Sequence, residues 1–287
     1  MSGSLTKAAF DTLATLLKTQ SGLMIGPDKI YLLETRLAGI LKREMLSDMN
    51  QLADRLRRPG SERLSRSVVE AMTTNESFFF RDDKPFTHFR AQALPRLASA
   101  RPPGSTIRVW SAAASSGQEA YSLAMIVAES HAVLGDRKVE IIGTDIAREQ
   151  LARAREGIYS QFEVQRGLPV QMLMRYFRKE DSNWRINETI RAMAQFCEFN
   201  LLSDPHSLGR FDIVFCRNVL IYFVQPTKSR ALGRIASVMP ADGLLYLGGA
   251  ETVLGLTARF APLATERGVY GVVPAYGASA GMAAGAA

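Results

Sequence analysis

Apolar residues recur every three or four positions through the first part of the chain, which is the spacing of one helix face. Asp48 stands where a helix cap is expected, and Pro27 with Asp28 suits the first turn of another helix. No strand pattern interrupts these segments, so we predict a small all-helical domain over residues 1–80. The apolar positions of its helices are Phe10, Leu13, Leu16, Leu17, Ile30, Leu33, Leu37, Leu41, Leu64, Val68 and Met72.

From about residue 81, short apolar runs of strand length alternate with helical patterns. This alternation predicts an α/β domain with a doubly wound, mainly parallel sheet. The predicted strands cover about 107–110, 139–143, 194–199, 211–215 and 244–247, and the predicted helices about 119–130, 148–156 and 226–239. A further run at 269–273 follows without a crossover helix, so we expect it to pair antiparallel at the sheet edge.

Residues 157–193 interrupt this alternation with a polar and charged stretch, which predicts a small inserted subdomain. The sheet domain as a whole is expected to cover residues 81–274. The last residues, 275–287, consist mainly of alanine and glycine and are typical of a low-complexity, disordered tail.

The loop after the first strand is built from small residues, with Ala113 at its start and Gly117 near its end. Such a loop lies at the carboxyl end of a strand, where open α/β sheets bind ligands. Asp145 ends the next strand and could accept both hydroxyls of a ribose, or it could cap the following helix. Glu119 is equally open, because acids are also favoured near the start of a helix.

A single glycine in this loop does not match the diphosphate cradle of dinucleotide enzymes, and the chain contains no phosphate-binding loop of the GxxxxGK[ST] type. An NAD-dependent enzyme and a phosphate-loop NTPase are therefore disfavoured. A nucleoside cofactor without phosphates fits better, and S-adenosylmethionine is the common one.

Two more segments place polar residues beside apolar ones. Arg217, Asn218 and Tyr222 follow a buried-strand pattern, at the ligand edge of the predicted sheet. Asn75 and the nearby Ser77 and Arg81 surround three phenylalanines between the two domains. The phenylalanines are expected to form interface core, and a capping or turn role is the alternative for Asn75.

Composition limits the remaining possibilities. The net charge of +7 favours an acidic partner. No apolar stretch is long enough to cross a membrane and no secretory signal opens the chain, so we expect a cytoplasmic protein without membrane insertion. Cys197 and Cys216 are expected to be buried, reduced thiols. The histidines at 88, 131 and 206 form no ligand pattern, so no metal site is predicted.

Several motifs together resemble one family. The segments TTNESFFFRD, VWSAAASSGQEAYSLAM, GTDI, FNLL and FDIVFCRNVLIYF, in this order and spacing, are similar to those of the chemotaxis receptor methyltransferases, the CheR family. The resemblance implies a helical domain followed by a Rossmann-like methyltransferase domain with an inserted β-subdomain. It also implies methyl transfer from S-adenosylmethionine to glutamates of the cytoplasmic receptor domain, giving methyl esters and S-adenosylhomocysteine.

The resemblance further implies roles for individual residues. Glu119 and Asp145 would hold the amino-acid end and the ribose of the cofactor, in an order that stays open. Arg81 and Tyr222 would face the methyl acceptor as catalytic residues. The residues implied to bind the cofactor are Asn75, Ser77, Arg81, Ala113, Glu119, Asp145, Asn200, Leu201, Asn218 and Val219.

Two positions depart from the family pattern. Glu76-Ser77 stands where Leu-Thr is familiar, but the serine keeps the hydroxyl, so we expect little loss of function. Gln118 stands where a first glutamate is usual, which leaves Glu119 as the match to the second.

A basic face on the helical domain suits an acidic receptor helix, although a merely solvated face is the alternative. Lys29, Arg36 and Arg43 recur every seven residues and so share this face, and further predicted docking residues follow nearby: Arg55, Arg57 and Arg58. A non-catalytic module that binds S-adenosylmethionine and docks a partner is the competing interpretation. A nucleic-acid methyltransferase is disfavoured, because the basic residues lack interleaved aromatics and no Asn/Asp-Pro-Pro-aromatic motif occurs. We expect a monomer.

Overall fold

The computed structural model describes residues 4–264 and 266–274, so the tail at 275–287 lies outside the described residues. The chain begins with a bundle of helices. Asp48 accepts a hydrogen bond from the backbone N–H of Gln51 (2.9 Å) and so caps one of them, as predicted. The helices of the bundle are α1 (Lys7–Ser21), α2 (Ile30–Arg43), α3 (Met49–Leu56) and α4 (Glu62–Met72).

The predicted helix faces pack against one another to form the core of this bundle. Leu13, Leu17, Leu33, Leu37 and Val68 are completely buried. Four of the predicted core positions are only partly buried, because they lie at the margins of the faces: Phe10, Leu16, Ile30 and Leu41.

The rest of the described chain combines two sheets with further helices. The helices before the first strand are α5 (Lys84–His88) and α6 (Leu94–Ala100), joined by a π-helical turn. The later helices are α7 (Gln118–Glu129), α8 (His131–Leu134), α9 (Arg148–Glu156), α10 (Gln161–Gln165), α11 (Val170–Tyr176), α12 (Glu188–Arg191) and α13 (Gln225–Ser237). The strands are β1 (Thr106–Ala112), β2 (Lys138–Asp145), β3 (Ile158–Ser160), β4 (Phe177–Glu180), β5 (Asn183–Ile186), β6 (Ala194–Glu198), β7 (Ile213–Cys216), β8 (Leu244–Leu247), β9 (Phe260–Pro262) and β10 (Val269–Val272).

The larger sheet has the strand order β6-β2-β1-β7-β8-β10-β9. Its first five strands are parallel, which confirms the predicted doubly wound α/β fold. The chain proceeds outward from β1 through β2 to β6 and then returns to β7 on the other side of β1. The connections therefore leave in opposite directions on the two sides of β1. Between β1 and β7 this reversal opens a crevice at the carboxyl ends of the strands, which is where such sheets bind ligands.

The last strand was correctly expected to be antiparallel, but its predicted position at the edge was wrong. β10 pairs with β8 and also with β9, and β9 forms the edge. The three residues of β9 include Pro262 and have two exposed side chains, so no apolar pattern marked them as a strand.

Apolar side chains cover both faces of the large sheet, because successive residues of a strand point to opposite sides. On one face Val109 and Ile141 pack with α7, α9 and the phenylalanine-rich linker. On the other, Trp110 and Val214 pack with α13. Each face is therefore shielded from water, and the carboxyl ends of the strands are left as the accessible edge.

The smaller sheet, β3-β5-β4, is antiparallel and comes from the stretch between the second and third parallel strands of the large sheet. Together with α10, α11 and α12 it fills most of residues 157–193, where an inserted subdomain was predicted. The domain boundaries themselves stay predictions.

The two cysteines differ in how deeply they are buried. Cys216 is buried as expected, whereas Cys197 is only partly buried, and both are free thiols. Burial raises the pKa of each thiol, which favours the unreactive protonated form.

No helix within residues 4–264 and 266–274 is long and apolar enough to cross a bilayer.

Candidate functional site

A cavity opens at the carboxyl ends of β1, β2 and β7, between the large sheet and the helical bundle. Its volume is about 1000 Å³, including the part open to solvent, which is at the upper end of the size of ligand pockets. Every site residue predicted from the sequence lines it. These residues are Asn75, Ser77, Arg81, Ala113, Glu119, Asp145, Asn200, Leu201, Asn218, Val219 and Tyr222.

The small-residue loop after β1 forms one wall with an unusual backbone. Ala113 (φ 67°), Ser115 (φ 50°) and Gly117 (φ 93°) all lie in the left-handed region. A hydrogen bond from Ala114 N to Thr144 O (2.8 Å) ties the loop to β2. Non-glycine residues in this region are strained, and such strain is typical of ligand-binding turns. The loop therefore presents backbone rather than side chains to the cavity.

Asp145, at the end of β2, holds this loop in place by a hydrogen bond to its backbone. Its two carboxylate oxygens accept backbone hydrogen bonds from Ala147 (2.9 Å) and Ser115 (2.8 Å). The capping position of α9 is Ala147, so Asp145 forms a turn before the helix rather than capping it. Burial raises the pKa of Asp145, and the hydrogen bonds from backbone N–H groups oppose that shift.

Glu119 lies in the first turn of α7 and lines the cavity. It accepts hydrogen bonds from Ser111 Oγ (2.8 Å) and from Arg217 Nη1 (3.0 Å). Burial raises the pKa of Glu119, and the positive charge of Arg217 counteracts this. The result is a buried acid whose anionic form is held by specific partners.

Arg217 has a larger role than its position after a strand indicated. Its side chain is only 1% exposed and bridges Glu119 to Asp82 (2.7 Å), while Nη2 also donates to Arg81 O (2.7 Å). A buried charge of this kind is tolerated because it is paired. Arg217 thus links Glu119 to the turn that carries Arg81, although the predicted site did not include Arg217.

The linker between bundle and sheet forms the next wall. Asn75 O accepts a hydrogen bond from Ser115 Oγ (2.9 Å), which fixes the linker on the small-residue loop. The guanidinium of Arg81 donates to Glu76 O (3.1 Å) and lies 5.3 Å from the centre of the Phe78 ring. These contacts leave the partly exposed Arg81 at the cavity.

The three phenylalanines of the linker do not share one environment. Phe79 is completely buried against the rings of Tyr159 and Phe177 from the inserted segment. Phe78 and Phe80 are only partly buried, and Phe78 lines the cavity. The expectation of interface core therefore applies in full to Phe79 alone among them.

The carboxyl end of α1 closes the cavity, which the sequence did not reveal. Gln20 O accepts a hydrogen bond from Asn200 Nδ2 (2.6 Å), and Met24 N donates to Tyr222 O (3.3 Å). Ser21 and the apolar Leu23 between these positions line the cavity. The helical bundle thus contacts residues on two opposite walls of the site.

Asn218 and Val219 belong to a tight turn after β7, and Asn218 has a left-handed backbone (φ 59°). Their backbone N–H groups donate to Glu251 at 2.8 and 3.0 Å. Glu251 was not among the predicted site residues. An acid a few residues beyond the end of β8 was the available signal, since that strand also ends at the ligand edge.

The predicted docking residues differ in how their side chains are used. Arg36 donates to Met72 O (2.7 Å) and Thr73 O (3.0 Å), so it holds the linker rather than projecting freely. Arg55 contacts Glu44 and Arg57 contacts Asp54. Arg43 is exposed beside Glu44, and within the described residues no hydrogen bond or ion pair engages the exposed side chains of Lys29 and Arg58.

Within the part of the chain that the structure describes, no group of three or more metal-ligating side chains occurs.

Comparison with known proteins identifies the family. Residues 75–269 match the family model described as CheR methyltransferase, SAM binding domain. The chain belongs to the CheR methyltransferase family. The matched segment begins at Asn75 and contains the small-residue loop, Glu119, Asp145 and the turn after β7. The resemblance noted in the sequence is thereby confirmed, and S-adenosylmethionine is the cofactor of this domain.

Relatives of this CheR protein match it along most of their length. Chemotaxis protein methyltransferase Cher2 of Pseudomonas putida is 38% identical over 251 residues, which cover 86% of this chain and 91% of that protein. Chemotaxis protein methyltransferase 1 of Pseudomonas aeruginosa is 38% identical over 257 residues, 88% and 93% of the two chains. Among solved structures, PKMT2 from Rickettsia typhi in complex with AdoHcy is similar with a TM-score of 0.37 and 16% identity, over 61% of this chain and 26% of that one. The family model and the two Pseudomonas relatives identify the CheR protein as an S-adenosylmethionine-dependent methyltransferase. The strand order of its large sheet is that of a Rossmann-like fold.

Proposed function

We propose that this CheR methyltransferase esterifies glutamate side chains of the cytoplasmic domain of chemoreceptors, and that it acts in the cytoplasm as a monomer. The observation that carries the proposal is that Arg81 and Tyr222 line the same cavity as Glu119 and Asp145. A cofactor end and an acceptor end can then face each other in one pocket. The names of the relatives support chemotaxis as the context.

The residues of the cavity suit S-adenosylmethionine. Each carboxylate oxygen of Asp145 already accepts one backbone N–H and keeps a free lone pair, so the pair of oxygens can receive two ribose hydroxyls. Glu119 can attract the ammonium group of the amino-acid end, in exchange for part of its contact with Arg217. Ile146 and Leu201 offer an apolar surface for the adenine.

The reaction asks little acid–base chemistry of the protein. A glutamate carboxylate has an ordinary pKa of about 4.3, so it is already an anion at neutral pH. When the cofactor is bound, its sulfonium supplies the methyl group: a carboxylate oxygen forms a bond to the methyl carbon while the carbon–sulfur bond breaks and its electron pair stays on sulfur. No proton has to be removed, and no general base is needed.

The remaining task of the protein is to orient the acceptor and to exclude water. Arg81 can hold the acceptor carboxylate by charge, and the phenol of Tyr222 can donate a hydrogen bond to it. Positioning of this kind can lower a barrier by up to about 7–11 kcal/mol. Because the opposite charges of the two reactants are partly neutralised in the transition state, exclusion of water also favours the reaction.

Recognition of the receptor is proposed to use the exposed cations of the helical bundle. Lys29, Arg43 and Arg58 are exposed and suit the steering of an acidic helix towards the cavity. Each exposed ion pair would contribute only about 0–1 kcal/mol. Arg36 is not a suitable probe of docking, because its loss would release the linker.

The test uses purified protein, radiolabelled S-adenosylmethionine and a soluble fragment of a receptor cytoplasmic domain. We expect the fragment to gain label that base releases as methanol, as methyl esters do. Arg81→Ala and Tyr222→Phe should lower the turnover number, while Glu188→Gln in the inserted segment serves as a control. Affinity for S-adenosylhomocysteine, measured by calorimetry, should fall little in Tyr222→Phe.

Three results would oppose the proposal in different ways. Cofactor binding without any transfer to receptor fragments would favour the non-catalytic signalling module. Label that resists base would indicate a different acceptor group. Wild-type turnover in both Arg81→Ala and Tyr222→Phe would remove these two side chains from the mechanism.

A further inference from the structure

The carboxylate of Glu251 lies at the centre of four backbone N–H groups. Oε2 accepts from Asn218 (2.8 Å) and Gly248 (2.7 Å), and Oε1 accepts from Val219 (3.0 Å) and Ile221 (3.2 Å). The donors come from the ends of two neighbouring strands, β7 and β8. Glu251 therefore joins two loops that no ladder hydrogen bond connects at this point.

The turn held by Glu251 contributes directly to the cavity. Asn218, Val219 and Tyr222 line the cavity, whereas Glu251 itself does not. Asn218 is in the left-handed region, and Leu220–Tyr222 forms a single 3-10 turn. Neither conformation is stable in an isolated chain, so the shape of the turn depends on the bonds that fix it.

The site requires an anion of this size. A carboxylate only accepts hydrogen bonds, so it can satisfy all four N–H groups, whereas an amide would present two donors of its own to them. The loops also approach closely: a Cβ at Gly248 would lie 2.8 Å from Asn218 Nδ2 and from Glu251 Oε2. Glycine at 248 and glutamate at 251 thus form one arrangement.

We propose that Glu251 is a positioning residue of the methyltransferase. Its carboxylate fixes the turn after β7 so that Asn218 and Val219 meet the cofactor and Tyr222 meets the acceptor. The part of this inference that concerns Tyr222 rests on the proposed function. The part that concerns the cofactor rests only on the S-adenosylmethionine site of the family.

The experiment measures binding of S-adenosylhomocysteine by calorimetry and methyl transfer to a receptor fragment. Glu251→Gln keeps the size of the side chain but loses the charge and two acceptor sites. We expect its dissociation constant for S-adenosylhomocysteine to rise about tenfold, because hydrogen bonds to a charged group are lost. Glu251→Asp should show a smaller rise in this dissociation constant, since it keeps the negative charge on a shorter side chain. Glu188→Gln should bind like the wild type.

Two further readouts separate positioning from a general loss of folding. In Glu251→Gln the number of binding sites per chain should stay at the wild-type value while the affinity falls. In the methylation assay, Tyr222→Phe should cost less in the Glu251→Gln background than in the wild type, because the two changes affect one arrangement.

Wild-type affinity in Glu251→Gln would overturn the inference. So would fewer binding sites of unchanged affinity, since that pattern means partial unfolding rather than displacement of the turn. If the wild type binds S-adenosylhomocysteine but methylates no receptor fragment, the proposed substrate fails instead, and the binding measurements still decide the role of Glu251.

Discussion

Gly117 offers a quantitative test of how the small-residue loop is built. A Cβ at this position would lie 3.0 Å from Ala154 Cβ and 3.2 Å from both Phe196 Cζ and Tyr121 Cε2, and the backbone φ is 93°. The left-handed backbone costs an alanine about 1–2 kcal/mol. Crowding against three packed side chains adds about 1–3 kcal/mol. Gly117→Ala should therefore reduce the free energy of unfolding by about 2–5 kcal/mol.

Gly104 provides the matched control for this substitution. Its φ is 73°, but a Cβ there would meet nothing within 4 Å. Gly104→Ala should therefore cost only the backbone contribution of about 1–2 kcal/mol. The difference between the two variants isolates the crowding at the loop. It is measured by urea unfolding, followed through the fluorescence of the buried Trp110.

The same pair also separates stability from ligand binding. Gly117→Ala should weaken binding of S-adenosylhomocysteine, because the loop that forms the cavity wall must shift, whereas Gly104→Ala should not. Equal losses of stability in the two variants would refute the argument from packing. Unchanged affinity in Gly117→Ala would show that the loop accommodates the methyl group without moving the wall.

Three other predictions concern charged residues. Arg217→Met should destabilise the protein by about 3–5 kcal/mol, because it leaves Glu119 buried without its partner; a loss below 1 kcal/mol in urea unfolding would contradict this account. The hydrogen bonds from Arg101 lower the pKa of Asp242, so this pair stabilises the fold above the ordinary carboxyl pKa of about 3.9 and ceases to do so as the pH falls through the lower folded value. Asp242→Asn should cost at most about 1 kcal/mol at pH 7, because the side chain is 39% exposed and solvent screens the pair. The difference from the wild type in urea unfolding should shrink steadily as the pH falls below about 3.9 and through the lower folded pKa. Arg36→Ala should weaken S-adenosylhomocysteine binding in calorimetry by loosening the linker, whereas the exposed control Arg58→Ala should bind like the wild type; identical behaviour of the two would place Arg36 outside the site.

The parts of the fold that the sequence predicted well have a local cause. The predicted bounds of β8 and α9 coincide with the observed Leu244–Leu247 and Arg148–Glu156. An uninterrupted apolar run and a regular helical spacing need no information from distant residues. β9 was missed because its three residues become a strand only by pairing with β10.

The candidate site likewise has residues that the local sequence predicted and contacts that it did not. Its predicted residues follow strand ends or belong to motifs of the family, and all of them line the cavity. Glu251 and the end of α1 were missed because most of their partners lie far away in sequence, such as Asn218 for Glu251 and Asn200 for Gln20. Arg36 shows the reverse case: its spacing suggested an exposed face, but its guanidinium reaches two carbonyl oxygens of the linker. Such contacts have no counterpart in a sequence pattern.

The contact between the end of α1 and the turn after β7 affects the stage of synthesis at which the protein becomes able to bind its cofactor. During synthesis the bundle leaves the ribosome before the sheet, and it has a core of its own, so it can fold before the sheet does. The cavity cannot close until Tyr222 has emerged and met Met24. A nascent or truncated chain that ends before this turn would thus contain a folded bundle without cofactor affinity. Cofactor could therefore bind only a chain that already contains this turn, and its binding would favour the state in which the bundle and the turn are joined.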